Sequence, residues 1–215
     1  MAGTTDKVQF NLKNVHYAPM TATGATPAWG TPVKVPGAVN LTLDQQGELT
    51  KFDADGITDW QARSNNGYEG DLEIALFPDQ MLQDIWGMTL TETDNVLVEN
   101  SMVEPKSFAL LFEIDGDVNG RRYCLYNCTA TRPGIGSKTN ENTKEPQTQS
   151  STISAIPLEN GNVLARTTDT TTAEVKQNWF KRVYQKGAAA AAAASLPQAE
   201  PAAAESDAGE EVASA

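Results

Sequence analysis

Histidine is almost missing from this 215-residue chain: His16 is the only one, and the two cysteines, Cys124 and Cys128, lie more than a hundred positions away. That scarcity argues against the usual transition-metal sites, which gather several soft or imidazole ligands into clusters. It also leaves any Cys or Ser nucleophile dependent on His16 without a supporting motif. Basic residues are short as well, with 16 Lys and Arg against 28 Asp and Glu and a formal net charge of −12. A surface that grips nucleic acid needs a basic patch to replace phosphate counterions. The charge therefore speaks against such a grip, but is compatible with a surface that must not stick to DNA. No apolar run approaches the roughly 18 residues of a membrane span. The opening MAGTTDKVQF lacks an apolar h-region, so the chain is expected to be made and kept in a cytoplasm.

Few cysteines suit that compartment. If RRYCLYNCTA is a strand, the two thiols share one face about 13 Å apart, too far for a disulfide. They are expected to be reduced and partly buried. The sequons Asn40-Leu-Thr42 and Asn127-Cys-Thr129 read as strand residues, since they matter only in a secreted protein.

What the sequence does contain is a long series of short β patterns. With 40% hydrophobic residues, its length suits one compact core. NVHYAPM, AVNLTL from Ala38, ITDWQARS from Ile57 and GYEGDLEIALF from Gly67 are separated by Gly, Pro, Asn and Asp. In the last, Leu72, Ile74 and Leu76 fall on one face and Asp71, Glu73 and Ala75 on the other, the pattern of a half-buried strand. NVLVEN, KSFALLFEID, RRYCLYNCTA, TQSSTISAIPL and NVLARTT continue the series. No helix stands between strands as parallel pairing requires, so the expected fold is mainly β, an antiparallel sandwich or barrel.

Two helices are expected to flank it. PDQMLQDIWG has proline and aspartate at its start, Met81, Leu82, Ile85 and Trp86 on one flank, and Gly87 at its stop. Near the end, Thr171 and Glu174 have capping-box spacing, and Val175, Trp179 and Val183 recur every four residues, as in a helix docked on the core.

Three stretches invite a functional reading. FEIDGDVNGRRYCLY starts like a calcium loop at Asp115, with Asp117, Asn119 and Gly120 in place, but Tyr126 stands where the loop's last, bidentate carboxylate belongs. A hairpin turn explains the same residues. In such a turn Asp115 and Asp117 are solvated, which argues against acid–base catalysis needing a buried carboxyl. Asp44 to Asp55, DQQGELTKFDAD, and Arg132 to Pro146, RPGIGSKTNENTKEP, are longer than hairpins need and read as connecting loops with an interface role. The first offers Asp44, Gln45, Gln46, Glu48, Lys51, Asp53 and Asp55; the second offers Arg132, Lys138, Asn140, Glu141 and Lys144.

Composition changes at Gly187. Seven alanines, Ala188 to Ala194, lead into SLPQAEPAAAESDAGEEVASA, whose Glu200, Glu205, Asp207, Glu210 and Glu211 have no basic partner. Five of the twelve net negative charges therefore lie here, leaving −7 on residues 1–186. Residues 1–186 are expected to form the β domain, and 187–215 a flexible, exposed tail that cannot close a core.

Taken in order, KNVHYA at Lys13, TPVKVPGAV at Thr31, NNGYEGDLEIALFPD at Asn65, EPKSFALLFEIDGDVNGRRYCLYNCTATRP at Glu104, KEPQTQSSTISA at Lys144 and NWFKRVY at Asn178 form a set that resembles the major tail proteins of long-tailed, non-contractile bacteriophages. The resemblance runs over about residues 10–185 and implies a tail tube protein, a virion component assembled in a host cytoplasm. It implies a β-sandwich or barrel with a flanking helix, subunits in hexameric rings, and rings stacked into a hollow tube for DNA. The implied partners are further copies of the chain, the tape measure protein and other tail proteins, with no cofactor, metal or membrane. The first candidate stretch becomes the expected ring-stacking loop and the second a further interface. A cytoplasmic β-sandwich module for a carbohydrate or peptide, with Trp29 and Trp60 as its platform, is the alternative.

Overall fold

The computed structural model describes residues 10–54, 57–115, 120–139 and 146–186. The chain divides into two units, Met1–Tyr184 and Gln185–Ala215. The expected acidic tail, 187–215, lies outside the described residues.

The first unit is mainly antiparallel β. Its elements run β1 (Phe10–Ala22), β2 (Ala28–Trp29), β3 (Val33–Lys34), β4 (Ala38–Leu41), β5 (Asp44–Gln46), β6 (Leu49–Ala54), β7 (Ile57–Arg63), β8 (Gly67–Ile74), α1 (Asp79–Trp86), β9 (Thr89–Leu90), β10 (Leu97–Val98), β11 (Phe108–Asp115), β12 (Arg121–Ala130), β13 (Gln149–Ala155), β14 (Leu164–Arg166) and α2 (Ala173–Asn178). Ten strands form one sheet with the central order β2-β1-β11-β12-β13-β8-β4. β3 adds to β1, β5 to β8, and β14 to β12. The sheet curls until β4 lies beside β1. Both sequon asparagines sit in strands, Asn40 in β4 and Asn127 in β12.

Two apolar clusters cover opposite faces of the central strands. Phe108 to Phe112 of β11 are buried without a break, because alternate residues enter different clusters. Phe108, Leu110 and Phe112 join Tyr17, Leu72, Ile74 and Ile153 beneath α1, while Ala109 and Leu111 join Ala18, Tyr126, Trp179 and Val183 beneath the C-terminal segment. Half-buried strands away from this centre follow period 2: in β8, Leu72 and Ile74 are buried while Glu69 and Asp71 are exposed. The strand ends at Ile74, however, and Leu76 is 69% exposed. The expected continuation of that face stops where the Ala75 N–H turns to the Gly37 carbonyl.

Bulges reset the period in two strands. In β1 the register against β11 shifts between Phe10 and Leu12 and again between Lys13 and His16, with Asn11 and Asn14 at φ of 66° and 50°. Asparagine tolerates that left-handed backbone, and the extra residue lets both Leu12 and Val15 pack on the first cluster. In β12, Phe108 faces Cys128 but Leu110 faces Leu125, so β12 carries an extra residue. The two cysteines consequently do not share a face. Cys124 enters the second cluster and Cys128 the first, both free and fully buried.

Helix α1 has the predicted apolar flank, and Gly87 terminates it at φ 66° with its N–H on the Gln83 and Leu82 carbonyls. Pro78 is the residue before its first turn and makes no side-chain cap. Trp86 is 1% exposed and donates its indole N–H to the Ala130 carbonyl at 3.1 Å. The Tyr17 hydroxyl donates to Asp84 at 2.7 Å, tying α1 to β1. The capping box expected from Thr171 and Glu174 does not form: Thr172 is the N-cap without a side-chain bond, and the Thr171 hydroxyl instead accepts the Thr168 N–H. The helix is only six residues long. Trp179 and Val183 nevertheless dock, as their spacing predicts.

Candidate functional site

The candidate loop Asp44–Asp55 is largely strand. Asp44, Gln45 and Gln46 form β5 against β8, and Lys51 and Asp53 belong to β6, which pairs with β7 in a separate two-stranded sheet. Glu48 lies at the junction between β5 and β6, and Asp55 lies outside the described residues. The reason for the difference is solvation. Both faces of this hairpin are exposed, so its residues lack the apolar–polar alternation that marks a half-buried strand.

The result is an arm carried by the β5–β8 ladder. At its base the Asn66 N–H donates to the Gln46 carbonyl at 2.8 Å and the Ser64 N–H to the Glu48 carbonyl at 3.0 Å, while the Glu48 N–H donates to the Ser64 hydroxyl at 2.8 Å. Gly47 is required there for space, since a Cβ would stand 2.2 Å from the Ser64 carbonyl oxygen. A polar recess of about 390 Å³ beside this joint is lined by Gln45, Gln46, Glu48, Arg63, Ser64 and Asn65, among others. Farther out, Phe52 and Trp60 are direct cross-strand partners and are 59% and 54% exposed. Ile57 and Leu49 are exposed as well.

The second candidate loop is placed elsewhere. Arg132 follows β12 and pairs with Glu99 at 2.5 Å, and the Thr131 and Gly134 N–H groups bond to β13. Lys138 is described and exposed, whereas Asn140, Glu141 and Lys144 lie outside the described residues.

Asp115 ends β11, pairs with Lys13, and is separated from β12 by a short connection, as a hairpin requires. Asp117 and Asn119 lie outside the described residues, and Gly120 has φ 52°. Tyr126 is buried against Trp29, with ring centroids 5.7 Å apart, instead of facing the turn. Among the described residues, no group of three His, Cys, Asp or Glu side chains is placed to hold a metal, and no helix is long and apolar enough to cross a membrane.

Comparison with known proteins gives little further. No family model matches the chain, and no curated protein matches it. Among solved structures, a chain from the "Cryo-EM structure of the anti-feeding prophage cap (AFP tube terminating cap)" is similar, at 13% identity and a TM-score of 0.43 over 78% of this chain and 99% of that one. The site must therefore be read from its own residues.

Two surfaces stand out. One is the arm. The other is a cleft of about 750 Å³ where the curled sheet stays open between β1 and β4, lined by Phe10, Leu12, Val39, Leu41, Ile114 and Leu164, among others. On its wall Phe112 and Tyr123 stack with centroids 5.1 Å apart. The tryptophans expected to share a platform are not brought together. Trp29 is half-buried, donating its N–H to the Tyr126 carbonyl at 3.0 Å, and Trp60 stands on the arm.

On the opposite face, His16 stacks on Phe180 at 4.7 Å and Arg122 lies over the same ring at 5.3 Å. Arg122 also donates to the Lys176 carbonyl at the end of α2 and pairs with Glu113 at 3.4 Å. Burial holds the His16 imidazole below its ordinary value of 6.5, with nearby Lys34 adding to the shift and the bond to the Asn14 carbonyl opposing it. The sequence offers His16 only as a lone ligand or a base without a supporting motif. Its place opposite Lys34 and beside Phe180 follows from the bulge at Asn14, which composition does not reveal.

Proposed function

We propose that this chain is the tail tube subunit of a long-tailed, non-contractile bacteriophage, which assembles as stacked, sixfold rings around a channel for double-stranded DNA. The observation that carries the reading is the ordered set of sequence blocks resembling that family, most of which fall on strands of the single large sheet. The architecture is consistent with it. The terminal strands of the sheet are short, with β2 and β3 flanking one side and β4 and β5 the other. Unpaired strand edges are templates for pairing, and a closed ring removes them. Subunits would join edge to edge, and the β6–β7 arm would reach the next ring. The net charge of −12 suits a conduit in which phosphate is repelled and DNA passes without binding. Tape measure protein and other tail components would be its partners in the virion.

Negative-stain images of concentrated protein test the proposal. Rings and tubes are expected. A uniform monomer that gains stability with a small carbohydrate or peptide would instead support the ligand-binding module.

A further inference from the structure

We propose that the β6–β7 arm of one copy seats Phe52 and Trp60 in the cleft between β1 and β4 of a second copy. The proposal names the partner of the arm and rests on the reading of the chain as a self-assembling subunit.

The arm is a two-stranded sheet with no core of its own among the described residues. Isolated two-stranded hairpins are at best marginally stable in water. This one nonetheless presents Phe52 and Trp60 on one face, since they are register partners, with Thr50 and Ala62 as the next pair on that face. Paired exposed aromatics are the residue types that anchor protein interfaces. The same chain supplies a receptor of matching character. The cleft rim carries Phe10 and Val39, 57% and 54% exposed, and its volume of about 750 Å³ has room for two aromatic side chains.

Charge agrees with this pairing. Arg166 lines the cleft, is exposed, and has no ion pair among the described residues. Asp59, exposed next to Trp60 at the register shift in the arm, has no ion pair among the described residues. Own-chain docking is disfavoured by reach. Trp60 lies seven residues from Gly67 at the start of β8, roughly 23 Å of extended strand, and the bonds between Glu48 and Ser64 hold the two strands together at the base of the arm. An arm on one surface and a cleft on another make a head-to-tail contact, which repeats from copy to copy.

The test places a photo-crosslinking benzophenone amino acid at Trp60 in the full chain and maps the products by mass spectrometry. Crosslinks to residues 10–12, 38–43 or 164–166 of another copy are expected. Crosslinks within one chain, crosslinks elsewhere, or none at high concentration would overturn the contact. Complementation supplies a second readout. Trp60→Ser disables the arm and Val39→Arg the cleft, both at exposed positions, with circular dichroism checking that each variant folds. Each variant alone should associate through this contact at least about tenfold more weakly. An equimolar mixture should recover one productive contact, between the intact arm of the Val39→Arg chain and the intact cleft of the Trp60→Ser chain. Failure of the folded variants to complement counts against the proposal. Crosslinks in the cleft without rings or tubes would overturn the tail tube reading and leave this contact standing, and tubes with crosslinks elsewhere would do the reverse.

Discussion

At the scale of single residues, burial decides chemistry. Cys128 is pushed up to about 12 by its apolar surroundings, and Cys124 is raised too, first by burial and then by its neighbour Cys128. Thiolate is the reactive form, so neither side chain is a nucleophile at neutral pH. A soluble disulfide reagent is expected to label no thiol in the native protein and two after denaturation. Labelling at a native rate typical of free cysteine would contradict the packing. His16 responds in the opposite pH range. Its imidazole is depressed in the folded state, so the unfolded chain binds the proton more readily. The docked stack on Phe180 is therefore at full strength above the ordinary value of 6.5, and weakens as pH falls through and below it. Trp179 fluorescence and thermal melts should show the C-terminal segment loosening in mild acid. The His16→Gln protein should lack that share of the pH dependence, and an unchanged pH slope would remove His16 from the role.

Elements with one wet face are the plainest in the sequence. β8 could be read from Leu72 and Ile74 alternating with Asp71 and Glu73, and α1 from Met81, Ile85, Trp86 and the stop at Gly87. Two kinds of element escaped. β6 is wet on both faces, so nothing in LTKFDA alternates, and the strand passed for a loop. The bulges in β1 and β12 each insert one residue, which turns every later side chain to the opposite face. That is why Cys124 and Cys128 parted. The only local trace was asparagine at positions 11 and 14. Of the candidate interface residues, Lys51 and Asp53 fall on the arm, whose exposed aromatics, Phe52 and Trp60, lie outside that set. Replacing residues 48–64 with a short glycine bridge is expected to leave a folded subunit, because no arm side chain among the described residues belongs to either core cluster. Its melting temperature should stay within a few degrees of the parent, as expected for surface changes of about 0.5 kcal/mol. On the tail tube reading, such subunits should still form rings but no long tubes. Normal tubes in electron micrographs would take the arm out of stacking.

For the molecule as a whole, charge and chain order carry the remaining consequences. The acidic segment 187–215 would be repeated on every subunit of an assembly, and its five uncompensated carboxylates would repel one another in a narrow channel. It is expected on the outside of a tube. Mild proteolysis near Gly187 should therefore trim assembled tubes without breaking them, whereas complete protection confined to the assembled form would place the segment inside. The order of strands in the sheet also fixes an order in time. β1 is made first, yet its main partner is β11, with Asn14 bonded to Glu113 across 99 positions. β11 and β12 are neighbours in sequence and pair as a hairpin. Closing a short loop costs less entropy than closing a long one, and non-local pairing slows folding. In pulse-labelled hydrogen exchange during refolding, amides of β11 and β12 are expected to gain protection before those of β1, and simultaneous protection would refute this. On the ribosome the separation means that β1 emerges with its edge unsatisfied and waits for nearly half the chain to be synthesised, the interval in which a nascent subunit is most open to pairing with the wrong molecule.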